Sequence, residues 1–248
     1  MYGLTERETA LLRRLSPPWR IQRRLDAMDY DVEGTGCRSP RRVLREGRVQ
    51  CMDGALFAAA ALRLQGHPPL LMDLEAEQDV DHVVALFRVR GRWGAVARSN
   101  YSGLRYREPL YPTLRDLALS YFESYFNLRR QKTLRRFSVP VDLARFDARS
   151  WMTAEDDLWD IPEHLARVRH FPLVTRAQVR ALATVDARMF AAGLVGRAGP
   201  RPPSRAATAR GRADGPGADP RPAAAPRRSP ARRAPSPPAA RRPSRARR

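Results

Sequence analysis

The sequence contains little cysteine, almost no lysine and no long apolar run. Its 248 residues include two cysteines, Cys37 and Cys51, which are too few for a disulfide framework in a chain of this length. No run of about 18 apolar residues occurs, so no membrane-spanning helix is predicted. The first residues also lack the basic-then-apolar order that marks a secretion signal. These absences predict a cytoplasmic protein with reduced thiols and no membrane contact.

The positive charge is concentrated at the C-terminal end. The 52 residues 197–248 contain 15 arginines, 12 prolines, two aspartates and no aromatic residue, and they supply +13 of the formal net charge of +20. Such a segment cannot bury enough apolar surface to offset the entropy that is lost on ordering. The sequence therefore predicts a folded domain over residues 1–196 and a disordered basic tail over residues 197–248.

The basic tail has two interpretations. It can contact nucleic acid non-specifically, because arginine side chains neutralise phosphates. However, Lys132 is the only lysine among 46 basic residues, and a bias towards arginine, alanine and proline is also what a GC-rich genome encodes. The composition permits a nucleic-acid-associated protein without establishing one. The sequence carries no signal for the oligomeric state.

One strongly apolar helix is predicted at the centre of the domain, in the stretch GRVQCMDGALFAAAALRLQ at residues 47–65. A helix that is apolar on nearly every face belongs inside a domain. Cys51 stands at its start, where unpaired backbone N–H groups and the helix dipole favour the thiolate. Cys51 is therefore a candidate nucleophile, although free cysteines are also commonly buried as structural residues.

The spacing of apolar residues predicts further helices on both sides of this helix and a hairpin after it. The predicted helices cover residues 5–15, 19–28, 39–47, 114–128, 151–169 and 175–194. The predicted strands cover residues 70–74, 81–89 and 93–98, and a turn at Arg90-Gly91-Arg92 joins the last two. We expect an α+β fold in which the central helix packs on a small antiparallel sheet.

A histidine and a polar loop follow Cys51 at positions that suit cysteine chemistry. A nucleophilic thiol needs a nearby base and a third group that orients this base. His82 opens the strand after the central helix, and Asn100 or Ser99, at the end of the next strand, is the candidate orienting group. The backbone N–H of Cys51 and the side-chain amide of Gln50 are candidate oxyanion donors, and the alternative for Gln50 is a solvent-facing cap.

These residues resemble the pattern of the transglutaminase-like superfamily, which has the papain-like cysteine protease fold in a circularly rearranged form. The resemblance covers about residues 39–111 and depends on GRVQCMDGALFAAAALRLQG, DHVVALFRVRGRWGAV and ARSNY. It implies a nucleophile at Cys51, a base at His82 and an Asp or Asn on the next strand. The implied activity is cysteine-dependent acyl transfer without a cofactor, most simply hydrolysis of a peptide or amide substrate by a peptidase or amidase.

Two residues depart from the family pattern. Ala97 stands where family members usually have the orienting Asp, so this role falls to Asn100 or Ser99. Asp53, two residues after the thiol, supports the helix start but opposes formation of a thiolate. These departures leave a catalytically inactive transglutaminase-like binding module as an alternative function.

His67 is expected to be structural, and His164 and His170 are expected to carry no role. His67 lies beside the end of the central helix, and His164 and His170 lie in a region with weak sequence signals. Together with Cys37 and Asp73 they show no metal-ligand spacing, so no metal site is predicted.

Overall fold

The computed structural model describes residues 2–199. All of them belong to the first of two compact units of the chain, Met1–Arg201. Helices pack around an antiparallel sheet, which confirms the predicted α+β class. Apart from its first three residues, the predicted basic tail lies outside the described residues. No helix within residues 2–199 combines the length and the apolar character that are needed to cross a bilayer.

Eight α-helices occur in the described residues. They are α1 (Glu6–Arg14), α2 (Trp19–Asp26), α3 (Pro40–Glu46), α4 (Cys51–Leu64), α5 (Leu114–Leu119), α6 (Asp160–Arg167), α7 (Arg176–Ala181) and α8 (Ala187–Gly193). The Ser39 hydroxyl accepts the N–H of Arg42 and caps α3, and Gly47 ends this helix with a φ of 68°. The predicted start and end of α3 and the predicted central helix, α4, are confirmed.

The nine strands of this region form one large sheet and one short parallel pair. They are β1 (Asp29–Tyr30), β2 (Arg48–Val49), β3 (Leu70–Ala76), β4 (His82–Val89), β5 (Arg92–Val96), β6 (Arg107–Tyr111), β7 (Leu134–Ser138), β8 (Val141–Asp142) and β9 (His170–Pro172). The large sheet has the order β6-β5-β4-β3-β7-β9, and β8 also pairs with β3. β4 and β5 form the predicted hairpin, and β1 and β2 form the parallel pair.

α4 packs against one face of the large sheet. Residues 52–62 of this helix are all buried, and they share a core with Val83 and Ala85 of β4. Val84 and Leu86 alternate to the opposite face, where they join a second core. Because protein surrounds α4 on all sides, its sequence is apolar around the whole helix.

The second half of the domain departs from the predicted elements. The helix expected over residues 114–128 ends at Leu119, and a single turn of 3-10 helix follows. Tyr125 has an extended backbone there, and its hydroxyl donates to the carbonyls of Leu74 and Val80. The aromatic residues whose spacing predicted a longer helix are therefore buried by separate segments and not by one continuous helix.

The last two predicted helices are also corrected. The helix expected over residues 151–169 is reduced to α6, and the one expected over residues 175–194 is divided into α7 and α8. Asp186 starts α8 by accepting the backbone N–H groups of Arg188 and Met189. The strands β1, β2, β6, β7, β8 and β9 were not predicted.

Candidate active site

Cys51 is partly exposed at the first position of α4 and opens into a cavity of about 500 Å³. His82, Ser99 and Asn100 line the same cavity. The fold thus brings together four of the five predicted site residues, although they are separated by up to 49 positions in the chain. Gln50 is the exception, because its amide Nε2 donates to the carbonyl of Gly36 at 2.8 Å and Gln50 does not line the cavity.

Gly54 allows the loop after β5 to lie close to Cys51. A Cβ atom on Gly54 would lie 2.6 Å from the Cβ atom of Arg98, which is too close for any larger residue. Arg98 directly precedes Ser99 and Asn100. The missing side chain in the first turn of α4 therefore sets how near this polar loop comes to the thiol.

His82 enters the cavity from the face of the sheet opposite α4. Its ring packs edge-on against Tyr121 and Tyr125, with ring centroids 6.4 and 6.5 Å away. Its Nε2 atom lies 2.9 Å from the carbonyl oxygen of Leu104. Because a carbonyl can only accept, Nε2 carries the ring proton, and Nδ1 is the nitrogen that can accept a proton. In the described residues no hydrogen bond joins the Cys51 thiol to this ring.

The group that orients His82 differs from the prediction. The side chain of Asn100 bonds to the main chain of Ala198, and the hydroxyl of Ser99 accepts the N–H of Tyr101. The carbonyl of Leu104 holds the imidazole instead. Within residues 2–199 neither Asn100 nor Ser99 forms a hydrogen bond to the imidazole, so the structure does not show the orienting role that was predicted for them.

Removal from water disfavours the charged forms of both the thiol and the imidazole. It raises the pKa of Cys51 to about 11, although the N–H groups of Val83 and Met52 act in the opposite direction. Burial lowers the pKa of His82 to about 4, against the effect of the Leu104 carbonyl. The expectation that the helix start favours the thiolate is corrected, since desolvation outweighs the nearby N–H groups.

Alkylation measures the state of this thiol. At neutral pH the raised pKa alone should make iodoacetamide modify Cys51 about thirtyfold more slowly than a cysteine in a short peptide. Raising the pKa from about 8.5 to about 11 reduces the thiolate fraction about 300-fold, and the greater nucleophilicity of a more basic thiolate restores about tenfold. The rate should still be rising at pH 10, and mass spectrometry of tryptic peptides would follow it.

Cys37 provides an internal control for this measurement. It is fully buried, and burial raises the pKa of its thiol. It should remain unmodified in the folded protein, and a Cys37→Ala variant should be labelled at the wild-type rate. A labelling rate of Cys51 that levels off below pH 8 would contradict the neutral resting state.

A buried ion network supports the start of α4. The Arg38 guanidinium contacts the carboxylates of Asp31 at 2.8 Å, Glu46 at 2.7 Å and Asp53 at 2.9 Å. The backbone N–H of Arg38 also donates to Asp53 at 2.7 Å. The N–H of Gln50 donates to the same carboxylate, so Asp53 caps the helix while Arg38 balances its charge.

A second buried pair joins β3 to β9. His170 Nε2 lies 3.1 Å from Asp73 Oδ2, and His170 Nδ1 donates to the carbonyl of Val168 at 2.8 Å. Nδ1 therefore carries a proton, and the Nε2–Oδ2 contact holds one further proton. Burial raises the pKa of Asp73 above its usual range. His170, expected to have no role, thus connects two distant strands.

Sequence reasoning missed Leu104, Arg38 and the Asp73–His170 pair. The one available signal for Arg38 was Asp53, a carboxylate in an otherwise apolar helix, which requires a buried cation. A carbonyl such as that of Leu104 has no signature in the residue type. Within residues 2–199, no group of three His, Cys, Asp or Glu side chains could hold a metal ion.

The chain was also compared with known proteins. No protein-family model matches it, and no curated protein matches its sequence.

Proposed function

We propose that the protein is a cysteine-dependent acyl-transfer enzyme that acts as a peptidase or amidase. The observation that carries the proposal is the single cavity into which Cys51, at the start of a buried helix, and His82 both open. A thiol and a base that share one cavity form the minimum unit for nucleophilic catalysis by cysteine.

The proposed reaction begins with the attack of Cys51 on a carbonyl carbon. The Sγ–C bond forms, the thiol proton passes to Nδ1 of His82, and the carbonyl electron pair moves to oxygen. When the tetrahedral intermediate collapses, the C–N bond breaks and the amine leaves with the proton from His82. Water then hydrolyses the thioester, again with His82 as the base.

In this mechanism the proton moves during the attack and not before it. A thiol with a pKa of about 11 and an imidazole with a pKa of about 4 do not form an ion pair at neutral pH. Hydrogen bonds of catalytic groups are often absent before substrate binds. The N–H of Cys51, at the first position of α4, has no acceptor within the helix and is the proposed oxyanion donor.

We also propose that the fold is transglutaminase-like. The order of a Cys-bearing helix, a strand that begins with His82 and an antiparallel hairpin supports this assignment. Ala97, which stands at the usual position of the acid, is fully buried. The Leu104 carbonyl then takes over the orientation of the ring without adding a negative charge.

The proposal is tested with p-nitrophenyl acetate as a small acyl donor. We expect saturable release of p-nitrophenol beyond one equivalent and an acetyl group on the tryptic peptide that contains Cys51. Cys51→Ala should abolish both, and Cys37→Ala, the matched control, should retain both. Equal acetylation of the two cysteines, or release that does not saturate, would contradict the proposal.

A second candidate function is a non-catalytic binding module with the same fold. It is favoured by the neutral thiol and imidazole and by the position of His82 on the face of the sheet opposite α4. In that case the cavity would bind a ligand, and Cys51→Ala would leave the slow release of p-nitrophenol unchanged.

A further inference from the structure

Asn100 holds the main chain of Ala198 with two hydrogen bonds. Its Nδ2 donates to the Ala198 carbonyl at 3.0 Å, and its Oδ1 accepts the Ala198 N–H at 2.7 Å. The N–H and C=O of one residue point to the same side only where the chain is extended, as in the hydrogen-bonded pairs of an antiparallel ladder. The amide of Asn100 therefore binds an extended peptide through groups that every residue except proline offers.

The segment that carries Ala198 is fixed from its N-terminal side. Ser102 donates its N–H to the carbonyl of Gly193 at 2.9 Å and its hydroxyl to the carbonyl of Ala192 at 2.6 Å. The Arg197 guanidinium lies 5.9 Å from the centre of the Tyr101 ring. The chain after α8 is thus guided across the loop that contains Asn100.

This segment reaches the proposed active site. Arg197 and Ala198 form part of the wall of the cavity that contains Cys51 and His82. A piece of peptide from the same chain therefore borders the cavity that, in the proposed reaction, receives the substrate.

We propose that Asn100 is a binding residue for the main chain of an extended peptide substrate, and that residues 197–199 occupy its place as an intramolecular pseudosubstrate. This inference rests on the proposed function and adds the substrate class and a form of regulation. It assigns Asn100 to recognition of the substrate instead of orientation of the imidazole. Substrate binding then requires the segment to leave Asn100.

The first test changes only the hydrogen-bonding capacity of the segment, in the full-length protein. Ala198→Pro removes the N–H that Asn100 accepts, whereas Ala198→Gly keeps both main-chain groups and serves as the matched control. Loss of one such bond should increase the alkylation rate of Cys51 by iodoacetamide about fivefold in Ala198→Pro. Ala198→Gly should be labelled at about the wild-type rate.

The second test adds a peptide. N-acetyl-Arg-Ala-Gly-amide, which has the sequence of residues 197–199, should slow alkylation of Cys51 in Ala198→Pro when present at millimolar concentration. It should have no effect on the Ala198→Pro, Asn100→Ala double variant, which lacks the binding amide. In the wild type the attached segment competes at an effective concentration in the millimolar range, so the peptide should protect less.

The outcomes separate this inference from the proposed function. Alkylation needs no catalysis, so protection by the peptide without turnover of p-nitrophenyl acetate would retain the peptide site and reject the enzyme. Equal alkylation of Ala198→Pro and Ala198→Gly would overturn the pseudosubstrate contact. Equal protection of the single and double variants would overturn the role of Asn100.

Discussion

Replacing His82 by glutamine is expected to lower the rate of Cys51 acetylation by p-nitrophenyl acetate about a hundredfold. Glutamine can still donate an amide N–H to the Leu104 carbonyl, which holds the imidazole in the wild type. It cannot accept the thiol proton at neutral pH. General-base catalysis typically contributes about 10²–10⁴-fold, and a base whose pKa is lowered to about 4 belongs at the lower end.

The pH dependence of Cys51 acetylation is a second, independent test of the role of His82 as the base. His82 should stay neutral from pH 8 down to about pH 5, because burial lowers its pKa to about 4. The rate in the wild type should therefore show no loss from protonation of histidine in this range. His67→Gln is the control, since His67 contacts Phe87 and does not line the cavity. Acetylation of His82→Gln at the wild-type rate would favour the non-catalytic module.

Replacing Arg38 by methionine is expected to lower the free energy of unfolding by about 4 kcal/mol. The Arg38 side chain is 3% exposed, and it forms ion pairs with the equally buried Asp31 and the completely buried Asp53. Methionine fills a similar volume but leaves Asp53 without its cation and leaves Asp31 with the more distant Arg48, at 3.7 Å. Removal of one partner from a buried ion pair typically costs about 3–5 kcal/mol. Urea unfolding followed by circular dichroism would measure the loss.

Arg45→Met is the matched control for this variant. Arg45 lies on α3 and pairs with Glu155 at the surface, with side chains 55% and 60% exposed. Exposed pairs contribute little, so this variant should lose less than about 1 kcal/mol. The loss in Arg38→Met should also shrink as the pH falls and Asp53, whose pKa is raised by burial, becomes protonated. Equal effects of the two substitutions would contradict a buried network.

Elements fixed by local signals were predictable from the sequence. The cap at Ser39, the stop at Gly47 and the apolar stretch of α4 each depend on a few adjacent residues, and the structure has them where predicted. β7 and β9 were missed because their signal is not local. Their register depends on partners such as Asp73, which bonds to Ser138 and to His170 across long stretches of chain.

The residues that line the candidate site were easier to predict from the sequence than the hydrogen bonds that these residues form. The position of Cys51 at a helix start and of His82 at a strand start, with the family resemblance, predicted that both belong to one site, and both line one cavity. The partner of the imidazole was not predictable, since it is a main-chain carbonyl. The bonds of Asn100 were not predictable either, because Ala198 lies 98 residues away in a segment that was expected to be disordered.

The contact between Gly54 and Arg98 means that a position outside the cavity sets the width of the cavity. At Gly54 the backbone of α4 lies so close to Arg98, in the chain that leaves β5, that a methyl group does not fit between them. A larger residue at this position would increase the distance between Cys51, the proposed nucleophile, and the Asn100 amide that binds Ala198. The geometry of the proposed site therefore depends on a residue that carries no functional group.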